Sequence, residues 1–149
     1  SEELVKSNPS PENYSLLIRS IVGLGDFDEV EQVLKNLKPE ILKDNAIKSA
    51  ISSYELLKNN VVEDSKKEIL DKIQKNPADL DSKMDYSKIL FKENNLSECI
   101  DVLLEIFKKD QRWQDGYAKK QLLLIFDHLG SENELSKKGR RALTSLIFV

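Results

Sequence analysis

His128, Cys99 and a scatter of carboxylates are all that this 149-residue sequence offers toward catalysis or metal binding. A zinc centre wants three or four His, Cys or carboxylate ligands, and a nucleophilic thiol wants an accessible, electropositive setting. One His and one Cys on different predicted helices supply neither. His128 precedes Leu129 near a predicted helix C-terminus, where an imidazolium interacts favourably with the helix dipole. A structural or solvent-facing role is expected for it. Cys99 falls at a small inward position and reads as a compact hydrophobe. The carboxylate pairs Asp26 with Asp28 and Asp79 with Asp81 sit at predicted helix starts, where negative charge offsets the dipole and acid–base chemistry is not required. No Gly-rich loop is present to cradle a phosphate. The sequence therefore points away from an enzyme and implies no cofactor and no metal.

The elements that carry these residues are helical. Charged residues make up 33% and hydrophobic residues 40%, with only five Gly and four Pro, the balance of a folded, helix-rich chain. The length suits one domain. No apolar run approaches the roughly 20 residues of a membrane span, so no membrane partner is expected. No signal peptide opens the chain, which starts at Ser and reads as a piece of a longer protein. Residues 1–110 carry 16 Lys and Arg against 22 Asp and Glu, and residues 111–149 carry 7 against 4. An acidic body with a weakly basic tail argues against nucleic acid as a partner. A single Cys excludes an internal disulfide and fits a reducing compartment.

Hydrophobic periodicity divides the chain into hairpins. Asn76 to Asp110 is the clearest. A helix over Leu80 to Glu93 returns Leu80, Met84, Tyr86, Leu90 and Phe91 to one face, and after the Asn94-Asn95 break a helix over Ser97 to Lys109 does so with Cys99, Val102, Leu103, Ile106 and Phe107. Ser10-Pro11 reads as an N-cap and first helical residue. That helix runs to Leu24 before a Gly25 stop, and Asp28-x-x-Glu31 is expected to cap a second helix through Leu37. A shift of 69 residues lays this hairpin over the clearest one, pairing Leu17 with Tyr86, Ile21 with Leu90, Val30 with Cys99, Leu34 with Leu103 and Leu37 with Ile106. Sixty-nine is about twice 34.5, so one further hairpin is expected between them. It is read as a helix over Asp44 to Lys58 with Ile47, Ile51, Tyr54 and Leu57 inward, and a Ser65-capped helix with Ile69, Leu70 and Ile73 inward. The fourth hairpin pairs Gln114 to Leu129, burying Leu122, Leu123, Ile125, Phe126 and Leu129, with a helix capped by Ser131-x-x-Glu134. Gly139 inside that last helix costs about 1 kcal/mol against Ala and is expected to let it fray.

Hairpins of about 34 residues with slim Ser87 and Cys99 where helices cross, and bulky Tyr86, Leu90, Leu103 and Ile106 beside them, resemble tetratricopeptide repeats. The expected fold is all-α: one domain over 1–149, a right-handed α-solenoid of about eight helices in four hairpins, at about 10–38, 44–75, 77–109 and 114–148. First helices line the concave side of such a stack, which makes Arg19, Asp81, Lys88 and Lys92 candidates for a ligand-facing surface. Their mixed signs equally suit a solvated face. Lys137, Lys138, Arg140 and Arg141 give the last helix a polar outer side. Trp113 either wedges the short loop before the fourth hairpin or stands exposed for recognition; the shortness of the loop favours the wedge. The end of the chain, Leu143, Leu146, Ile147, Phe148 and Val149, is apolar beside Arg140 and Arg141. It must fold back on the fourth hairpin or dock elsewhere.

From Pro11 to Phe148 the chain resembles the C-terminal tetratricopeptide-like half of the bacterial thioredoxin-domain chaperones, the chaperedoxins. The residues that carry the resemblance are Asn76-Pro77-x-Asp79, Leu103-Leu104 through Lys109-Asp110, Trp113 to Gly116, Lys120-Gln121-Leu122, Leu129-Gly130, and Arg140-Arg141-x-Leu143 with Leu146 to Phe148. The resemblance implies a cytoplasmic protein-folding role in which unfolded or oxidation-damaged clients are held and passed to the chaperonin. It implies a thioredoxin-like domain preceding this chain in the whole protein, and a chaperonin contact on Arg140, Arg141, Leu143, Leu146 and Phe148. Gly139 departs from the family pattern, where a larger residue is usual. Self-association, or docking onto that thioredoxin-like domain, is the alternative role.

Overall fold

A computed structural model describes residues 5–6 and 9–148. The regular elements among them are nine α-helices and one 3-10 turn, with no strand. The chain divides between Lys58 and Asn59 into two compact units. The boundary separates the two helices read from the sequence as the middle hairpin, so each is described with its own unit.

In the first unit α1 (Pro11–Leu24) begins as expected: Ser10 accepts a hydrogen bond from the Asn13 amide at 3.2 Å and Pro11 takes the first turn. Gly25 closes it in the left-handed conformation at φ 78°. The next helix, α2 (Phe27–Lys35), starts two residues earlier than the sequence suggested, because Asp26 and not Asp28 is the cap, accepting from the Glu29 amide at 3.1 Å. That frees Glu31 for a tertiary role, described below. A short helix that periodicity did not reveal, α3 (Pro39–Leu42), uses Pro39 as its first residue. In α4 (Asn45–Asn59) the buried residue near the end is Leu56, with Leu57 exposed, a reversal of the expected face. Leu17, Ile18 and Ile21 of α1, Val30 and Leu37, and Ile47, Ala50 and Tyr54 of α4 form one apolar cluster.

The second unit holds α5 (Lys66–Lys75), α6 (Leu80–Lys92), α7 (Leu96–Lys109), α8 (Tyr117–Leu129) and α9 (Glu134–Ile147). Each packs on the next, and α9 also returns to α7. Ser65, Asp79 and Asn95 cap the first three through their side-chain oxygens. The inward face of α7 is the one read from the sequence: Cys99, Val102, Leu103, Ile106 and Phe107 are all buried, joined by Leu96 and Ile100. In α5 only Ile69 is buried, while Leu70 is exposed, since one packed neighbour needs only a narrow stripe.

The start of α8 differs from expectation. Gln114, Asp115 and Gly116 stand at φ 45°, 58° and 77°, three consecutive left-handed residues that end the 3-10 turn Trp113–Asp115 and delay the helix to Tyr117. A non-glycine residue is uncommon there, and Gly116 is the one member of the three for which the conformation is easy. Within α8, Leu122, Ile125 and Phe126 are buried with Ala118 and Gln121, while Leu123 is exposed. The cap of α9 is Asn133, which accepts from the Leu135 amide at 2.9 Å in place of the expected Ser131.

Candidate functional site

The two slim residues of the clearest hairpin meet. The Cys99 thiol donates to the Ser87 carbonyl at 3.2 Å, and both residues are buried. Burial pushes the Cys99 thiol up to about 12, which keeps it protonated and unreactive at neutral pH. His128 is half-buried with its ring edge-on to Phe91, 5.5 Å between centroids. It is a packing residue, more involved than a solvent-facing one. Among the described residues no three His, Cys, Asp or Glu side chains gather where they could hold a metal ion.

Of the candidates read as concave, Arg19 lies in the first unit, exposed, donating to the Ser49 hydroxyl at 3.0 Å and the Ser53 hydroxyl at 3.5 Å. The other three recur along one face of α6. Asp81 accepts from Gln114 Nε2 at 2.9 Å, and Lys88 Nζ lies 5.3 Å from the Tyr117 ring centroid. Lys92, two turns beyond Asp85, is exposed. Asp85, overlooked in the sequence, is half-buried on this helix, and desolvation raises its carboxyl above the usual range while Lys88 partly opposes that. The loop 110–116 thus anchors α8 against this face, with Trp113 half-buried edge-on to Tyr117 at 6.4 Å.

The end of α9 is differently built. Leu143 is 4% exposed and belongs to the core. Leu146 is half-buried and its carbonyl accepts from Gln111 Nε2 at 3.2 Å. Ile147 and Phe148 turn outward, Phe148 at 82% exposure; Val149 lies outside the described residues. Arg140 is spoken for by its own hairpin, 3.3 Å from Asp127 and stacked over the Phe126 ring at 5.2 Å. Arg141 projects outward with no acidic partner among the described residues. Of the five residues expected to form one contact, Arg141 and Phe148 are exposed and Leu146 is half-buried, whereas Leu143 is core and Arg140 is engaged within its own hairpin.

Gly139 is what lets α9 lie there. It is buried, and a Cβ at that position would stand 2.4 Å from Phe126 Cε1 and 3.4 Å from Ile100 Cγ2. The glycine read as a weak point is a close-packing position, its helix-propensity cost offset by the approach of the Phe126 ring. Beside it a cleft of about 80 Å³ runs between α7 and α9, floored by Ile100, Leu104, Gly139 and Ala142, and opens toward Leu146.

These hairpins, with slim residues at the helix crossing and a capped terminal pair, define a helical-repeat interaction module. The sequence profile of the tetratricopeptide repeat family matches residues 61–148, more than half of the chain, and the chain belongs to that family. A comparison with curated proteins gives no match.

Proposed function

We propose that this chain is a non-catalytic protein–protein interaction module of a thioredoxin-domain chaperone, docking onto the chaperonin or unfolded clients through the end of its last helix. The observation that carries this reading is Phe148, a large apolar side chain left exposed at the end of α9, next to the outward-facing Ile147 and to Arg141, which has no acidic partner among the described residues. A solvent-facing aromatic beside an arginine is the composition of an interface anchor. The resemblance to the chaperedoxins supports the same segment. Reactive chemistry has no support in the side chains that might have supplied it, since Cys99 is buried and protonated and His128 is packed on Phe91. A cytoplasmic setting and a bacterial source follow from the same resemblance, and among the described residues no helix is long and apolar enough to cross a membrane.

The test is calorimetric titration of the chain into purified chaperonin and into a reduced, unfolded client, beside the variant carrying Arg141→Glu and Phe148→Ala. Binding that weakens at least tenfold in a variant with unchanged helicity supports the reading. Equal binding by both proteins moves the contact to the α6 face, and no binding to either target leaves docking onto the protein's own thioredoxin-like domain as the function.

A further inference from the structure

We infer that the loop 110–116 is a strap that couples the α6 face to the end of α9, kept in a strained conformation by its tethers, so that a cationic partner group taking Asp81 sets the end of α9 free. The strain is local. Left-handed residues of an L-chain occur singly, because Cβ crowds the following carbonyl, yet Gln114 at φ 45°, Asp115 at 58° and Gly116 at 77° follow one another. Such a run persists only where its surroundings hold it. Among the described residues, two side-chain hydrogen bonds tie the loop to helices that are not its neighbours in the chain. Gln114 Nε2 donates to Asp81 Oδ1 on α6 at 2.9 Å, and Gln111 Nε2 donates to the Leu146 carbonyl on α9 at 3.2 Å.

The α6 tether is open to competition. Asp81 is exposed, and a carboxylate binds a guanidinium or an ammonium more strongly than it binds a neutral amide. A partner cation on the α6 face therefore draws Asp81 away from Gln114. Without that bond, Gln114 and Asp115 relax to right-handed φ and continue α8 backward, to the start that hydrophobic periodicity gives it. The chain then leaves Trp113 in a new direction and Gln111 parts from Leu146, whose carbonyl lies in the last turn of α9 and has no partner within the helix. Leu146 immediately precedes Ile147 and Phe148, so the release reaches the residues exposed for docking. The inference rests on the module reading for what that helix end does, and it places the end under the control of the α6 face.

The chain alone tests it, because Trp113 is its single tryptophan and sits half-buried against Tyr117 within the strap. Asp81→Ala removes the acceptor, whereas Asp81→Asn removes the charge and keeps a side-chain oxygen for Gln114. Asp81→Ala is expected to shift Trp113 emission to the red and to speed amide exchange at residues 146–148 by about threefold or more, with Asp81→Asn close to wild type in both. Gln111→Ala should speed exchange at 146–148 and leave the tryptophan unmoved. Asp115→Gly eases the left-handed conformation and keeps both tethers, so adding it to Asp81→Ala should reduce both responses. Circular dichroism and unchanged exchange in α5 check that the variants are folded. Wild-type exchange at 146–148 in Asp81→Ala or Gln111→Ala, an Asp81→Asn variant that behaves like Asp81→Ala, or a response that Asp115→Gly does not reduce would overturn the inference. No partner enters these measurements, so their outcome is separate from that of the chaperonin titration, which tests the module reading.

Discussion

Gln121 on α8 donates a hydrogen bond from Nε2 to Asn60 Oδ1 at 3.1 Å, across 61 residues of sequence, and both side chains are buried. An amide pair in an apolar interior is held by mutual satisfaction, because losing one partner leaves the other desolvated and unpaired. It fixes the segment leaving Asn59 against α8 within the second unit.

Gln121→Met keeps the volume and removes the donor. It is expected to cost about 1–3 kcal/mol, the usual penalty for an orphaned buried polar group. Denaturant unfolding of this variant beside the double variant Asn60→Leu with Gln121→Met checks it: the double variant should lose less than the sum of the single losses. Strict additivity would mean that the two amides do not depend on one another.

Gly139→Ala should destabilise the second unit although Ala is the better helix former by about 1 kcal/mol. The new methyl has no room beside Phe126, a fully buried ring capped by Arg140, and overpacking typically costs about 1–3 kcal/mol. Adding Phe126→Leu should recover part of the loss. A thermal midpoint that rises in Gly139→Ala would show that the ring moves aside freely.

Leu103→Ala should lose about 2–5 kcal/mol, because Leu103 is 1% exposed in the centre of the α7 face. His128→Ala forfeits an edge-on ring contact with Phe91, worth about 0.5–1.5 kcal/mol. Equal losses in chemical denaturation would remove Leu103 from the core.

Glu31 accepts hydrogen bonds from the Tyr54 hydroxyl and from Lys58 Nζ, and these hold its carboxyl below the usual range, Tyr54 first. A carboxylate with a depressed folded pKa contributes stability above its unfolded value of about 4.5 and loses it as pH falls through the folded value. For Tyr54, desolvation and then the Glu31 carboxylate raise the phenol, so its contribution is present below 10 and is lost at higher pH. Tyr54→Phe should therefore be less stable than wild type near pH 7, with the gap closing as pH drops below about 4. A gap unchanged from pH 3 to 8 in thermal unfolding would exclude Glu31 as its source.

What the sequence made legible is what neighbours in the chain decide. Ser10 with Pro11 and Gly25 bound α1 through local hydrogen bonds and φ preferences, and the 69-residue offset matched Ile21 to Leu90 and Val30 to Cys99, all buried. Asp26 and Asp28 both head an Asp-x-x-Glu pattern, and the tie is broken by Tyr54, 23 positions beyond Glu31, which engages that glutamate and leaves Asp26 to cap. Periodicity alone turns Leu57 and Leu70 inward, yet both are exposed, because which side of a helix is covered depends on the elements that pack against it. Gly139 could not be read because the ring it accommodates lies on another helix, and neither could the Asn60 and Gln121 pair. Within the candidate site, the apolar and basic ending was plain in the sequence; that Leu143 is core, Arg140 intramolecular and Phe148 outward needed the fold.

The most direct test of the module reading is hydrogen–deuterium exchange of the chain alone and saturated with purified chaperonin. Slowed exchange of amides over residues 141–148 on complex formation, with α1 to α4 unchanged, is the expected result. A complex that leaves 141–148 unprotected, or protects only the α6 face, would contradict it.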